Sequence, residues 1–270
     1  MNFKQLEELE EQQDVFWYPG MNSSPPVNFT PGVIVLLKQA LQASYAGGRI
    51  KRAVLCDKGV VYVNHLIWDM SWGASYRLFT MACCALMASK QPYRSQYQAV
   101  LTKPSVPGVR NLQKWLEDAW NVGYDPKGRD ALKNRLIGTS KKLSMQDLWT
   151  AFVSRKIPAS FAFFDCGSKG EYVVSEVDEG VSEVDKGELT ALSWIVQLFE
   201  RNLSSSSSSS GIQSTSQMPF FMATQLTNTV SHYAVVGYEV DVNDNISLLV
   251  FDPTRKTVAR GVSPTIRLTV

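Results

Sequence analysis

The chain has 270 residues, with 27 Lys and Arg against 25 Asp and Glu for a net charge of +2, and 44% of it is hydrophobic. That length buries a sizeable core in one large domain or two small ones. A charge so slight, with no basic block or aromatic-basic stripe, argues against nucleic acid, and no apolar stretch approaches the roughly 20 residues that span a bilayer.

Residues 2–14 read as a short charged helix with a sparse apolar face of Leu6, Leu9 and Phe16. Its acidic start (Glu7, Glu8, Glu10, Glu11) is unlike a signal peptide, which is basic and then apolar. A Pro, Gly, Asn and Ser cluster over 19–31 separates it from the rest of the chain, so the expected division is a helix and linker over 1–31 and a domain over 32–270. Within the domain the pattern predicts a helix over 32–46, strands over 53–56 and 60–63, and a buried helix over the apolar run 74–89. Pro104 and Pro107 then precede a helix over 111–122, where Leu112, Leu116, Ala119 and Trp120 have helical spacing. Next come a helix over 147–154, a buried strand over 159–164 and an amphipathic helix over 188–202. The serine tract 204–210 lacks the apolar content to offset its ordering entropy, which predicts a mobile insertion at about 203–217. Two β-rich runs, 232–240 and 246–252, are joined by the Asn/Asp turn 241–245 as a hairpin.

The four cysteines, Cys56, Cys83, Cys84 and Cys166, form no CxxC pair and give neither a zinc site nor a disulfide framework. No metal or cofactor is expected, and a reducing compartment, cytosolic or nuclear, is. Cys83 and Cys84 fall deep in the 74–89 helix, where a free thiol behaves as a small hydrophobe. Of the two histidines, His65 has no carboxylate partner evident from topology and reads as structural. His232 opens the hairpin's first strand and Asp252 closes its second, which brings them together in an antiparallel pair. An aspartate so placed could hold an imidazole's tautomer, although a strand-edge histidine with a chance carboxylate nearby reads equally well from the residues alone. No Gly-x-Ser-x-Gly elbow supports serine hydrolase chemistry.

The segment Asp69 to Arg77 contains a Trp72-Gly73 corner leading straight into the buried helix. A thiol at such a helix start would be activated by unpaired N–H groups and the positive dipole end, but the position holds Ala74. Trp72 to Arg77 resembles the Trp-Gly-Cys-Gly-Tyr-Arg motif of the zinc-finger-type ubiquitin peptidases, papain-like deubiquitinases related to the proteases of the ubiquitin-fold modifier. Leu116 to Trp120, Gly123 to Pro126, Asn134 to Leu136 and Gly138-Thr139 resemble a further block of that family in order and nearly in spacing. His232 to Gly237 and Leu248 to Pro253 resemble its histidine strand and closing strand, so the likeness runs from about Val60 to Pro253. It implies an α+β, papain-like fold with a central helix packed on an antiparallel sheet. It also implies that Ala74 stands at the nucleophile position, His232 at the general base and Asp252 at its orienting carboxylate. Gln225, seven residues before His232 and so farther off than in the family, resembles the oxyanion glutamine. Asp125 and Asp147 match the acidic residues that hold the arginines of ubiquitin's C-terminal tail, as carboxylate–guanidinium pairs do. Residue by residue they read otherwise, Asp125 as a turn residue before Pro126 and Asp147 as a helix-start charge.

Ser75 replaces a family glycine, 141–146 does not reproduce the family's Trp-Ile-Gly segment, and no zinc finger precedes the domain. Proteases of the ubiquitin-fold modifier place histidine directly after Asp-Pro, where this chain has Thr254, which favours ubiquitin. The resemblance thus implies a cysteine deubiquitinase, monomeric, binding ubiquitin or polyubiquitin. Its nucleophile would be replaced by Ala74, most simply to trap a ubiquitin complex. A natural pseudoenzyme that binds ubiquitin, or a protease for another ubiquitin-like modifier, are the alternatives.

Overall fold

A computed structural model describes residues 15–88, 94–160, 191–201, 203, 211–224, 230–255 and 265–269. Its spine is strand β6 (Ser231–Asp241), flanked by β2 (Ile50–Leu55) and β5 (Phe220–Thr224) on one side and by β7 (Ile246–Phe251) on the other. The order is β4 (Gly211–Ser214), β2, β6, β7, β8 (Thr265–Thr269), with β5 pairing the start of β6; all pairings are antiparallel except β2 with β4. The sheet is mixed at that edge and otherwise fits the antiparallel expectation. Gly237 is required where β6 crosses β2, because a Cβ there would come within 2.3 Å of the Val54 carbonyl.

Helices α1 (Val33–Ala46), α2 (Ala74–Ala88), α3 (Arg94–Thr102), α4 (Val109–Asn121), α5 (Pro126–Ala131), α6 (Met145–Val153) and α7 (Ala191–Arg201) complete the described elements with two short strands, β1 (Phe29–Thr30) and β3 (Tyr62–Val63). Helix α2 is buried continuously from Ser75 to Ala85, as an apolar-all-round sequence requires. It packs on β3 and β6, with α3 and α6 beside it. Phe79 stacks between Trp115 of α4 and Phe152 of α6, tying the helices to one core. Helix α7 is tied to the sheet where Glu200 accepts from Arg52 and from the Tyr238 hydroxyl, each at 3.0 Å.

Two expectations need correcting. The span 15–31 is more than a linker: Phe16, Trp17 and Phe29 are buried, and β1 pairs with β3. Its turn-forming residues end an element, but its aromatic residues are driven into the core. Within the expected mobile insertion 203–217, Gly211–Ser214 instead forms an edge strand, with backbone hydrogen bonding to β2 supplying order that apolar content does not. The serine tract, the N-terminal helix over 2–14 and residues 161–164 of the expected strand lie outside the described residues.

Candidate active site

The Trp72-Gly73 corner is built around Asp69. Its backbone carbonyl accepts from the N–H groups of Trp72 (3.1 Å) and Gly73 (2.7 Å). Its carboxylate, wholly buried, accepts from Leu66 N (2.6 Å) and from Arg77 Nε (2.8 Å) one turn into α2. A Cβ on residue 73 would lie 2.1 Å from Asp69 Oδ2, so only glycine lets the chain turn this tightly over the carboxylate. Arg77 also sits 5.5 Å from the Trp68 ring, and Trp68, Trp72 and Tyr76 stack in sequence. The pair answers both buried charges, and it aims the first turn of α2 into a cleft.

That cleft is lined by Trp72, Ala74, Ser75, Lys142, His232 and Asp252, among others. Two layers contribute: α2 and the 141–144 segment from the helical side, β6 and the end of β7 from the sheet. Ser75 Oγ donates to the Leu143 carbonyl at 2.7 Å, and Tyr76 Oη to the Lys141 carbonyl at 3.0 Å. His232 lines the same cleft from the sheet side, opposite the first turn of α2. Burial lowers the His232 pKa; the Leu143 backbone opposes this and the nearby Lys142 charge adds to it. Among the described residues, its Nε2 is buried with no hydrogen-bond partner.

Asp252 shares the cleft but does not hold the imidazole. Its Oδ1 accepts from Thr254 N (2.9 Å) and Thr254 Oγ1 (2.6 Å), and its Oδ2 faces Arg255 Nε at 3.7 Å. Register explains this. Ala234 lies opposite Phe251, which continued outward sets His232 level with Pro253 and Asp252 level with Tyr233. The turn itself is held from β3 and the residues after it. The Tyr62 hydroxyl bonds to the Asp252 carbonyl (2.7 Å) and meets that of Arg255, and the His65 backbone N–H and Nδ1 both lie 2.9 Å from the Pro253 carbonyl. His65 is thus the hydrogen-bonded, structural histidine that its setting suggests.

Asp125 and Asp147 keep their local roles as well. Asp125, at φ 40°, caps α5 by accepting from Gly128 N (3.0 Å), and the same oxygen accepts from Gln146 Nε2 (2.8 Å). Asp147 forms a capping box with Ser144 at the start of α6. Each retains one buried carboxylate oxygen with no partner. Burial raises the Asp147 pKa; Ser144 hydrogen bonds offset this in part, and the neighbouring charge of Asp125 adds to it. Gln225 and Cys166 lie outside the described residues.

The model of peptidase family C78 matches residues 49–265, most of the chain. The chain belongs to peptidase family C78. The zinc finger-containing ubiquitin peptidase 1 of Rattus norvegicus is 27% identical over 204 residues, that of Mus musculus 28% and that of Homo sapiens 24%. Each match covers 75% of this chain and 30% of the relative, so the chain spans under a third of those proteins' length. As a C78 peptidase domain it has the papain-like arrangement, a central helix on a sheet with the cleft between them. The block that carried the resemblance over Leu116 to Thr139 is one structural unit. Glu117 accepts from Leu136 N (2.6 Å) and Ile137 N (2.8 Å), while Gln113 joins Gly138 N, the Thr139 carbonyl and the Tyr76 hydroxyl. It therefore buttresses the cleft from outside it.

No described thiol in this C78 domain can stand in for one at position 74. Cys56, Cys83 and Cys84 are free and buried, and burial pushes each thiol well above its ordinary pKa. Residues that single-sequence reasoning leaves unassigned are Asp69, Tyr62 and Lys142. Only the first carries a usable signal: one acid and one base flanking an otherwise uncharged corner must pair if both are buried.

Proposed function

We propose that this chain is a ubiquitin-recognising peptidase domain that takes ubiquitin's C-terminal tail into the cleft and, with alanine at position 74, does not cut the bond beyond it. One observation carries the reading: at the head of α2, in a cleft shared with His232, a methyl group stands where the chemistry of cysteine peptidases needs a thiol. A cysteine there would meet the unpaired N–H groups of the first turn, which favour thiolate and then the oxyanion. His232 would transfer the protons, and Gln225 would supply an amide to the oxyanion. The spare oxygens of Asp125 and Asp147 suit the guanidinium groups of an arginine-bearing tail. The similar proteins are ubiquitin peptidases by name, and Thr254 after Pro253 argues against a protease of the ubiquitin-fold modifier.

The test is to make Ala74→Cys and add ubiquitin carrying a C-terminal alkyne warhead. A one-to-one covalent adduct by intact mass is expected, lost again on His232→Ala, while the chain with Ala74 binds ubiquitin and forms none. If Ala74→Cys stays unmodified with the fold intact, the peptidase reading of the cleft fails. The same geometry serves a replaced nucleophile and a natural pseudoenzyme, and the codon at position 74 in the gene separates those histories.

A further inference from the structure

We propose that the cleft at the head of α2 is a carboxylate pocket, holding the free C-terminal carboxylate of an extended tail in preference to the same tail in amide linkage. The inference rests on the ubiquitin-tail reading and goes beyond it, because it distinguishes unconjugated ubiquitin from conjugates.

Three features converge on it. Helix α2 has 15 residues, and the Arg77 N–H donates to the Gly73 carbonyl at 3.0 Å. Among the described residues the N–H groups of Ala74, Ser75 and Tyr76 have no acceptor, which leaves them for an anion at the positive end of the helix dipole. Beside them on the lining is His232, with 8% of its surface exposed and its Nε2 unpartnered. Lys142, exposed on the same cleft, is near enough for its charge to be felt by the imidazole. Among the described residues the one carboxylate on the lining, Asp252, is occupied by Thr254 and faces Arg255, which answers its charge.

In a cysteine peptidase this pocket must accommodate a thiolate, and a product carboxylate arriving beside it is repelled. Alanine removes that negative charge and opens the volume of a sulfur atom, which the second carboxylate oxygen can use. An amide nitrogen at that point would present a donor to donors. The missing nucleophile thus changes what the site selects as well as what it catalyses.

Calorimetric titration of the whole chain tests this with two ligands: ubiquitin ending in its free carboxylate, and ubiquitin ending in a primary carboxamide. Charge-assisted hydrogen bonding predicts about tenfold tighter binding of the carboxylate or more. Lys142→Glu, at an exposed position, should cost the carboxylate ligand far more affinity than the carboxamide and so remove most of that preference. Equal affinity for both ligands overturns the carboxylate pocket and leaves the ubiquitin-tail reading standing. A preference that survives both Lys142→Glu and His232→Gln puts the carboxylate elsewhere and also overturns it. Failure of both ligands to bind removes both readings.

Discussion

A carboxylate with no exposure to solvent is tenable only where its charge is met, and at Asp69 every contact serves the corner that presents Ala74. Asp69→Ala leaves the Arg77 guanidinium buried, 3% exposed and unpaired, so a loss of about 3–5 kcal/mol in urea unfolding is expected. Replacing both partners, Asp69→Leu with Arg77→Met, should recover most of it, because the penalty comes from the orphaned charge. Asp69→Ala costing under about 1 kcal/mol would show that the pair does not organise the corner. At this scale the sequence is informative about identity and poor about geometry. That position 74 and His232 share one cleft is legible, because the motifs around them are specific. The partners of Asp252 are not, because hairpin topology sets neighbours only to within a residue. A slip of one position turns a side chain to the other face.

Elements end where side chains replace the missing backbone partners, and at α6 one such side chain does two jobs. Asp147 closes the capping box with Ser144, yet its other oxygen is buried without a partner and its pKa is raised by burial. The native group therefore holds its proton to higher pH than the unfolded one. Between the unfolded value near 3.8 and the raised native value, the folded state binds more protons, and stability falls as pH rises. The cost is complete above the native pKa, so at neutral pH the empty protein bears it. Asp147→Asn should thus leave stability at pH 7 unchanged or higher and flatten its change between pH 4 and 7. It should also weaken ubiquitin binding about tenfold by removing one charged acceptor. A drop of more than about 1 kcal/mol at pH 7, with binding intact, would make the carboxylate a cap and nothing else. Helices α1, α2, α4 and α6 are legible from spacing to within a few residues. The short strands β1 and β4 are not, since two to four residues carry no readable period and their order comes from pairing partners distant in the chain.

The cleft lies on the seam between two layers, α2 with Ala74 and the segment carrying Lys142 on one side and the sheet with His232 on the other. On the helical side the Leu143 carbonyl accepts from Ser75, and among the described residues no hydrogen bond joins that side to the imidazole. An extended tail in the seam would add contacts to both layers at once, at the head of α2 and at the sheet that carries His232. Because such a ligand binds the folded chain alone, it stabilises the whole molecule by mass action, about 2.7 kcal/mol at a hundredfold excess over Kd. For a chain of this size each kcal/mol raises the melting temperature by roughly 2–4 °C. Intact ubiquitin at that excess should therefore shift the transition upward by several degrees as a single event. Ubiquitin lacking its last six residues presents the same globular surface without the tail, and should produce almost no shift at the same concentration. A full shift with the truncated form would mean that ubiquitin is held by its globular face and that the seam stays empty. A shift needing the tail but abolished by Asp125→Ala with Asp147→Ala would tie the stabilisation to the two acids and the cleft together.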